Sequence, residues 1–462
     1  MILFPFIYLL SFLAALYELI KNNKQGILLF LIFGLPIYIT SLSIAFMYGL
    51  KSWIPVFQLF KELIIIFTLA TLVISLKRKI KLHLVDRLIL FYFSYNFAYI
   101  FLPIGTFSFL EKALAFKSIA FFPLVYFTGR LFNPRQIYLS RYFHYICLVG
   151  IVVAIIVCIE VILGVHLQTI TGYSDYNFYY FNQEPSGNYG LTWTFEIQNG
   201  FKRFASFYST PLEHSASTLV TVSVLAALIT KDARVLWNKF TVITFISTLL
   251  SITFALSRAS FVGYFIMFYV YAWINKKRVW LNFFHYGTAL IIVLGLIWIN
   301  EDLYDFIVNT FNFSNSSSIT HLLEWIEGIN AIINNPLGMG LGTSGRVAGS
   351  MGINIGGENQ PIIIGVQTGL LSLMAYVFLY AYIVYISAKT FKFSTGKARK
   401  LALCLLMLKV GLIIPALTSE IESYPYISYL TWFLSGLLIS MISTEIIPAA
   451  KKQICQDKLL LE

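Results

Sequence analysis

The chain has 462 residues, of which 58% are hydrophobic, 17% aromatic and only 12% charged. Soluble domains carry about a quarter charged residues, so this composition excludes an ordinary cytosolic enzyme, a disordered chain, a coiled coil and a disulfide-stapled secreted scaffold. The formal charge of +12 invites a nucleic-acid partner, but the placement of the basic residues removes that reading.

The first twenty residues lack a basic leader and a small-residue cleavage site, so they read as a retained helix rather than a signal peptide. A bilayer-spanning helix needs about 20 mostly apolar residues. About 13 such segments (range 12–14) follow in chain order: 2–20, 27–47, 54–76, 87–106, 113–131, 143–166, 211–230, 239–256, 260–275, 283–299, 361–388, 401–418 and 426–446. The expected fold is an all-α polytopic membrane protein, one integral domain over 1–462. Cys147, Cys158, Cys404 and Cys455 show neither metal-ligand nor disulfide spacing.

Of the 33 Lys and Arg residues, 24 fall in loops sharing a side with 21–26 and seven on the other side. Basic residues collect on the cytoplasmic side of a membrane. The N-terminus is therefore expected outside and the C-terminus in the cytoplasm. The positive charge follows topology, with the lipid bilayer rather than nucleic acid as partner. Two long loops, 167–210 and 300–360, then lie on the outer face, and no cytoplasmic loop is large enough for a nucleotide fold. Chemistry on that face must use a substrate that arrives activated. No inverted repeat and no pair of broken helices is visible, which argues against a transporter.

The first loop concentrates aromatic residues, among them Tyr179, Tyr180 and Trp193. Such rings stack on sugars or form an interfacial belt. Lys202 and Arg203 follow; an arginine fork matches phosphate oxygens, and headgroup anchoring is the alternative. Arg258, between two apolar spans, is costly unless paired or snorkelling and so is a functional candidate. Apolar residues at helical spacing over 319–333 predict an amphipathic helix like a lid over the membrane surface, with His321, Glu324 and Glu327 near its start. A glycine run, Gly338, Gly340, Gly342 and Gly345, ends at Arg346. Glycines admit close backbone approach to a ligand and offer amide donors to an anion, or make a tight turn under the helix. Glu358 precedes the 361–388 span and is a candidate general base or a helix-dipole partner. Within spans, Lys61 beside Glu62, Glu160 and Lys409 are expected to pair internally.

The ordered set RFASFYSTP, ALSRAS, NNPLGMGLGTSGR and GENQPIIIGVQTGLLSL, from about Arg203 to Leu373, resembles the bacterial O-antigen polymerase and O-antigen ligase superfamily (Wzy-type integral membrane glycosyltransferases). The resemblance implies an inner-membrane, inverting glycosyltransferase working without metal or other cofactor. Its donor would be a glycan on undecaprenyl diphosphate, used on the periplasmic face. Polymerases transfer the chain to another lipid-linked repeat unit; ligases transfer it to lipid A-core. Arg203 and Arg258 match basic positions proposed to hold the donor diphosphate, with Arg346 and Lys202 as further candidates. Glu358 and His321 are the candidate catalytic residues; Tyr179, Tyr180, Trp193, Gly340 and Gly342 are the candidate glycan contacts. Glu358 stands where ligases of the family have His, which favours the polymerase. A chain-length regulator is a further candidate partner. The alternatives are a ligase, a lipid-linked glycan or solute transporter, and a purely structural membrane subunit.

Overall fold

The computed structural model describes residues 1–76, 80–197, 200–231, 234–297, 316–350, 352 and 354–459. Much of the first half of the expected second loop lies outside them. The elements are α1 (Leu3–Ile20), α2 (Lys24–Met47), α3 (Lys51–Ile74), α4 (Leu84–Ala98), α5 (Phe109–Ala120), α6 (Phe122–Leu131), α7 (Leu139–Leu163), α8 (Tyr173–Phe181), α9 (Pro211–Ile229), α10 (Lys239–Ala255), α11 (Arg258–Ile274), α12 (Arg278–Ile297), α13 (Ser316–Asn334), α14 (Arg346–Ser350), α15 (Gln360–Phe393), α16 (Gly396–Thr418) and α17 (Pro425–Leu459). The described strands are two-residue pieces, Thr230–Lys231 paired antiparallel with Arg234–Val235.

Among the described residues, eight helices are long and apolar enough to cross a membrane: α1, α2, α3, α7, α9, α15, α16 and the Pro425–Thr444 part of α17. The chain is thus an all-α, multi-pass membrane protein. α10 and α11 are apolar but only 17 residues each. The expected span 87–106 is a 15-residue helix, and 113–131 is interrupted at Phe121, one residue ahead of the first residues of α6, where Pro123 sits. A second interruption lies within a longer helix. Gly369 lies inside α15 with φ +83° and ψ 178°. A break in a membrane helix frees backbone groups that must find partners. Here the incoming 336–340 segment supplies them: Leu370 N donates to Pro336 O, and Val366 O and Gln367 O accept from Met339 N and Gly340 N.

Hydropathy gives no sign of the closest packing. α6 and α17 cross where a Cβ on Gly129 would meet Phe433 O at 2.0 Å, and one on Gly436 would meet Tyr126 O at 2.0 Å. Beside this crossing, buried Asp86 accepts Tyr126 Oη at 2.6 Å and Arg130 Nε at 3.0 and 3.1 Å. The Arg130 guanidinium also reaches Lys81 O and Ser443 Oγ. One ion pair therefore joins α4, α6 and α17. Lys409, expected to need a partner, lies 3.9 Å from the Trp432 ring centroid and 4.3 Å from that of Tyr380. Aromatic faces stabilise a desolvated ammonium.

Candidate functional site

The candidate residues come from five connections that meet at one end of the bundle. The first is the stretch before α9. Buried Glu160, near the end of α7, accepts Leu167 N at 2.8 Å and Ser206 N at 2.9 Å. Gln168 Nε2 donates to Ser206 O and Tyr208 O, and Thr40 Oγ1 donates to Phe207 O. Ser206 has φ +52°, a strained conformation for a serine that these bonds hold. The expected pairing role of Glu160 is thus a clamp on backbone amides. It fixes the segment that carries Arg203.

The second connection is the two-residue turn between α10 and α11. Leu256 ends α10 with φ +47°, and the Ser257 side chain caps α11 by accepting Ser260 N. This places Arg258 at the first position of α11, exposed. Arg203 Nε donates to Ala255 O at 3.1 Å, which brings the two arginines together. Burial and, second to it, the charge of Arg258 together lower the Arg203 pKa to about 10, against an opposing effect of Tyr424. Two like charges held close with no carboxylate bonded to either guanidinium among the described residues make a site that favours an anion.

The third and fourth connections carry Arg346 and Glu358. Arg346 opens α14, half-buried, its guanidinium 5.5 Å from the Phe181 centroid. Burial opposes its charge, but Tyr173, Tyr424, Glu420 and Glu213 together raise its pKa. Glu358 precedes α15, where Asn359 caps the helix by accepting Ile362 N at 3.1 Å. Glu358 keeps exposed surface, yet desolvation by surrounding protein raises its pKa; His321 and Arg346 oppose that rise and Glu324 adds to it. His321, on α13, has Nδ1 3.4 Å from Glu324 Oε2, close enough for an ion pair but not aligned as a hydrogen bond. Glu324 raises the His321 pKa against burial, and Glu358 adds to the rise.

The fifth connection, between α16 and α17, escaped the sequence reading. Glu420 accepts Arg346 N at 2.7 Å, and burial lifts its pKa to about 7 against the charge of Arg346. Glu422 accepts Ser428 Oγ, Trp432 Nε1 and Tyr376 Oη, and its amide donates to Gln360 Oε1 at 3.1 Å. The turn is thereby tied to the start of α15. The available signal was two carboxylates, in TSEIES, within a seven-residue connection between apolar spans.

Other candidates stand apart from this cluster or are committed elsewhere. Lys202 Nζ donates to Gly164 O, the C-terminal cap of α7, and lies 4.9 Å from the Tyr189 centroid. Tyr179 and Tyr180 lie on α8 beside Phe46; Tyr180 Oη donates to Lys51 O at 2.9 Å. Trp193 is 67% exposed. The glycine run does not form an anion nest. Gly340 N donates to Gln367 O, Gly342 N to Gln367 Oε1 at 3.0 Å and Gly345 N to Asn354 Oδ1. Gly340 is needed because a Cβ there would meet Ile104 O at 2.6 Å, and its φ is +104°. α13 packs on α15 through Ile332, Ile362 and Val366. Leu323, Ile326, Ile329 and Ile333 face outward, as suits a helix lying at a membrane surface.

No known family's sequence profile matches the chain, and no curated protein matches it.

Proposed function

We propose that this protein polymerises polysaccharide, O-antigen or exopolysaccharide, as an inverting glycosyltransferase of the bacterial inner membrane, with the charged cluster on the periplasmic face. The donor is a glycan on undecaprenyl diphosphate and the acceptor a lipid-linked repeat unit. The observation that carries the reading is the meeting of Arg203, Arg258 and Arg346 with Glu358 and His321, from positions 155 residues apart, at one end of an apolar helical bundle.

The chemistry follows from that set. The Glu358 carboxylate takes the acceptor hydroxyl's proton as the oxygen attacks the donor's anomeric carbon. The bond from that carbon to the diphosphate oxygen breaks, and its electron pair leaves on the diphosphate. Arg203 and Arg258 hold the diphosphate and stabilise its growing charge. Arg346, whose charge acts on Glu358, orients the donor. Burial keeps Glu358 basic enough to accept a proton.

The test is gene deletion with complementation, reading surface glycans on a gel. Deletion of a polymerase removes the long-chain ladder and leaves single repeat units attached. Wild type restores the ladder; Arg258→Ala and Arg203→Ala, expressed at normal level, do not. Loss of all attached glycan would point to a ligase instead. An unchanged ladder would overturn the reading.

A further inference from the structure

A cavity of about 660 Å³ lies between α9, α10, α11 and α12, within the roughly 300–1,000 Å³ of ligand sites. Buried Ile252, Tyr264 and Met267 line its inner side, and exposed Leu249, Phe261, Phe265 and Phe283 line its rim. It is therefore a groove open on the side of the bundle. No Asp, Glu, Lys or Arg lines it. Two of its three tyrosine hydroxyls are spent on neighbours: Tyr264 Oη pairs with Thr248 Oγ1 at 3.1 Å and Tyr271 Oη with Thr230 Oγ1 at 2.7 Å. The groove suits hydrocarbon and offers little to a polar ligand.

One end of the groove meets the candidate site. Phe261, Phe265, Phe268 and Ala272 line it and follow Arg258 at intervals of 3, 7, 10 and 14 residues, the spacing of one helix face. Arg258 heads that stripe. On α10, the lining residue Thr253 stands two residues before Ala255, whose carbonyl accepts Arg203 Nε at 3.1 Å. From Phe261 to Ala272, α11 rises about 17 Å, more than half of a hydrocarbon layer of about 30 Å.

A ligand that matches both features has an anionic head and a hydrocarbon chain. A phospholipid brings one phosphate diester and two largely saturated chains. A prenyl diphosphate brings two phosphates, one for each arginine, and a single chain. That chain carries a double bond in every isoprene unit, and its flat π faces pack on aromatic rings. Phe245, Phe261, Phe265, Phe268, Trp280 and Phe284 supply such rings.

We propose that this groove holds the prenyl chain of the lipid-linked donor, with Arg258 at its mouth receiving the diphosphate. The assignment rests on the glycosyl-transfer reading and adds to it where the donor's chain lies and which helices select it. The mouth, at Thr253 and Phe261, sets how deep the chain enters, and so where the anomeric carbon stands.

The test uses the full chain in nanodiscs of phosphatidylethanolamine and phosphatidylglycerol. The probe is undecaprenyl diphosphate with a photoreactive diazirine in mid-chain, and the labelled peptides are mapped by mass spectrometry. Labelling is expected on α10 and α11, displaced by unlabelled undecaprenyl diphosphate and not by added phosphatidylglycerol. Leu249→Trp and Thr253→Trp, which fill the groove, are expected to lose about tenfold or more of that labelling at unchanged melting temperature. Leu250→Trp, on the same helix outside the lining, is expected to keep it. If Leu249→Trp is unstable, exposed Thr253→Trp carries the test. Equal labelling of wild type and Thr253→Trp, or equal displacement by phosphatidylglycerol, overturns the assignment. Labelling confined to other helices, or none, alongside a ladder that depends on the gene overturns the groove and leaves the transfer reading standing. Groove labelling beside an unchanged ladder on deletion keeps the chain site and overturns the polymerase. No labelling with an unchanged ladder overturns both.

Discussion

Glu420 holds Arg346 in two ways: its carboxylate accepts the Arg346 amide at 2.7 Å, and its charge faces the same residue's guanidinium. One side chain thus sets both where α14 starts and how its arginine is balanced. Glu420→Ala removes both roles, whereas Glu420→Gln keeps an acceptor for the amide. Ladder formation is expected to fall by about tenfold or more in the alanine variant and less in the glutamine variant. Equal losses would show that the amide bond is irrelevant.

The same residue makes stability depend on pH. Its pKa is about 7 in the folded chain against an ordinary 4.5. The folded state therefore holds this proton more tightly than the unfolded state does. The favourable contribution is complete below the ordinary value and is lost as pH rises through about 7. Wild-type melting temperature in detergent is expected to fall between about pH 5 and pH 8 by more than that of Glu420→Gln. Parallel profiles would contradict this.

Glu358 must be ionised to act as a base, so transfer by purified protein is expected to fail on the acid side, at a pH above the ordinary carboxylate range. His321 lowers the Glu358 pKa by its charge. His321→Asn is therefore expected to move the acid limb to higher pH, and Glu358→Gln to cost about 10²–10⁴ in rate. An acid limb that stays put in His321→Asn would separate the two residues functionally.

Asp86→Ala leaves the Arg130 guanidinium buried and without its carboxylate. Breaking a buried pair in this way costs about 3–5 kcal/mol, so the variant is expected to lose folded protein in detergent. Replacing both residues with apolar ones of similar size is expected to recover much of that loss. A melting temperature unchanged by Asp86→Ala would show that the pair does not hold α4 to α6.

Gly436→Ala places a methyl group 2.0 Å from Tyr126 O, with backbone rather than a movable side chain in its way. The α6–α17 crossing must widen, at a cost of about 1–3 kcal/mol, read as a lower melting temperature.

How much of this was legible follows from the type of signal. Long apolar runs announced α1, α2, α7 and α9 because a spanning helix needs only length and hydropathy. Arg203, Arg258 and Glu358 stood out because charge at a membrane boundary is costly. Glu420 did not stand out, because a carboxylate in a short connection looks like solvent-facing polarity until the fold encloses it. The Gly369 break was hidden too. A glycine within an apolar run changes hydropathy little, and the partners for its freed backbone groups come from 336–340, remote in sequence. Lys202 and the glycine run looked available to ligands because donors are visible in sequence while the acceptors that occupy them, Gly164 O and Gln367, are not.

α10 has 17 residues, roughly 26 Å of helix, against a hydrocarbon layer of about 30 Å. α11 is equally short and begins after a two-residue turn. A bilayer meeting helices too short for it thins around them. If α10 and α11 cross the membrane, Arg258 would stand at the rim of such a thinned patch, where a headgroup could sink toward the protein without dragging its charge through hydrocarbon. The mismatch would then make the membrane itself part of the entrance for the proposed lipid-linked donor, and protein reconstituted in longer-chain lipids should be slower to load than in shorter-chain ones.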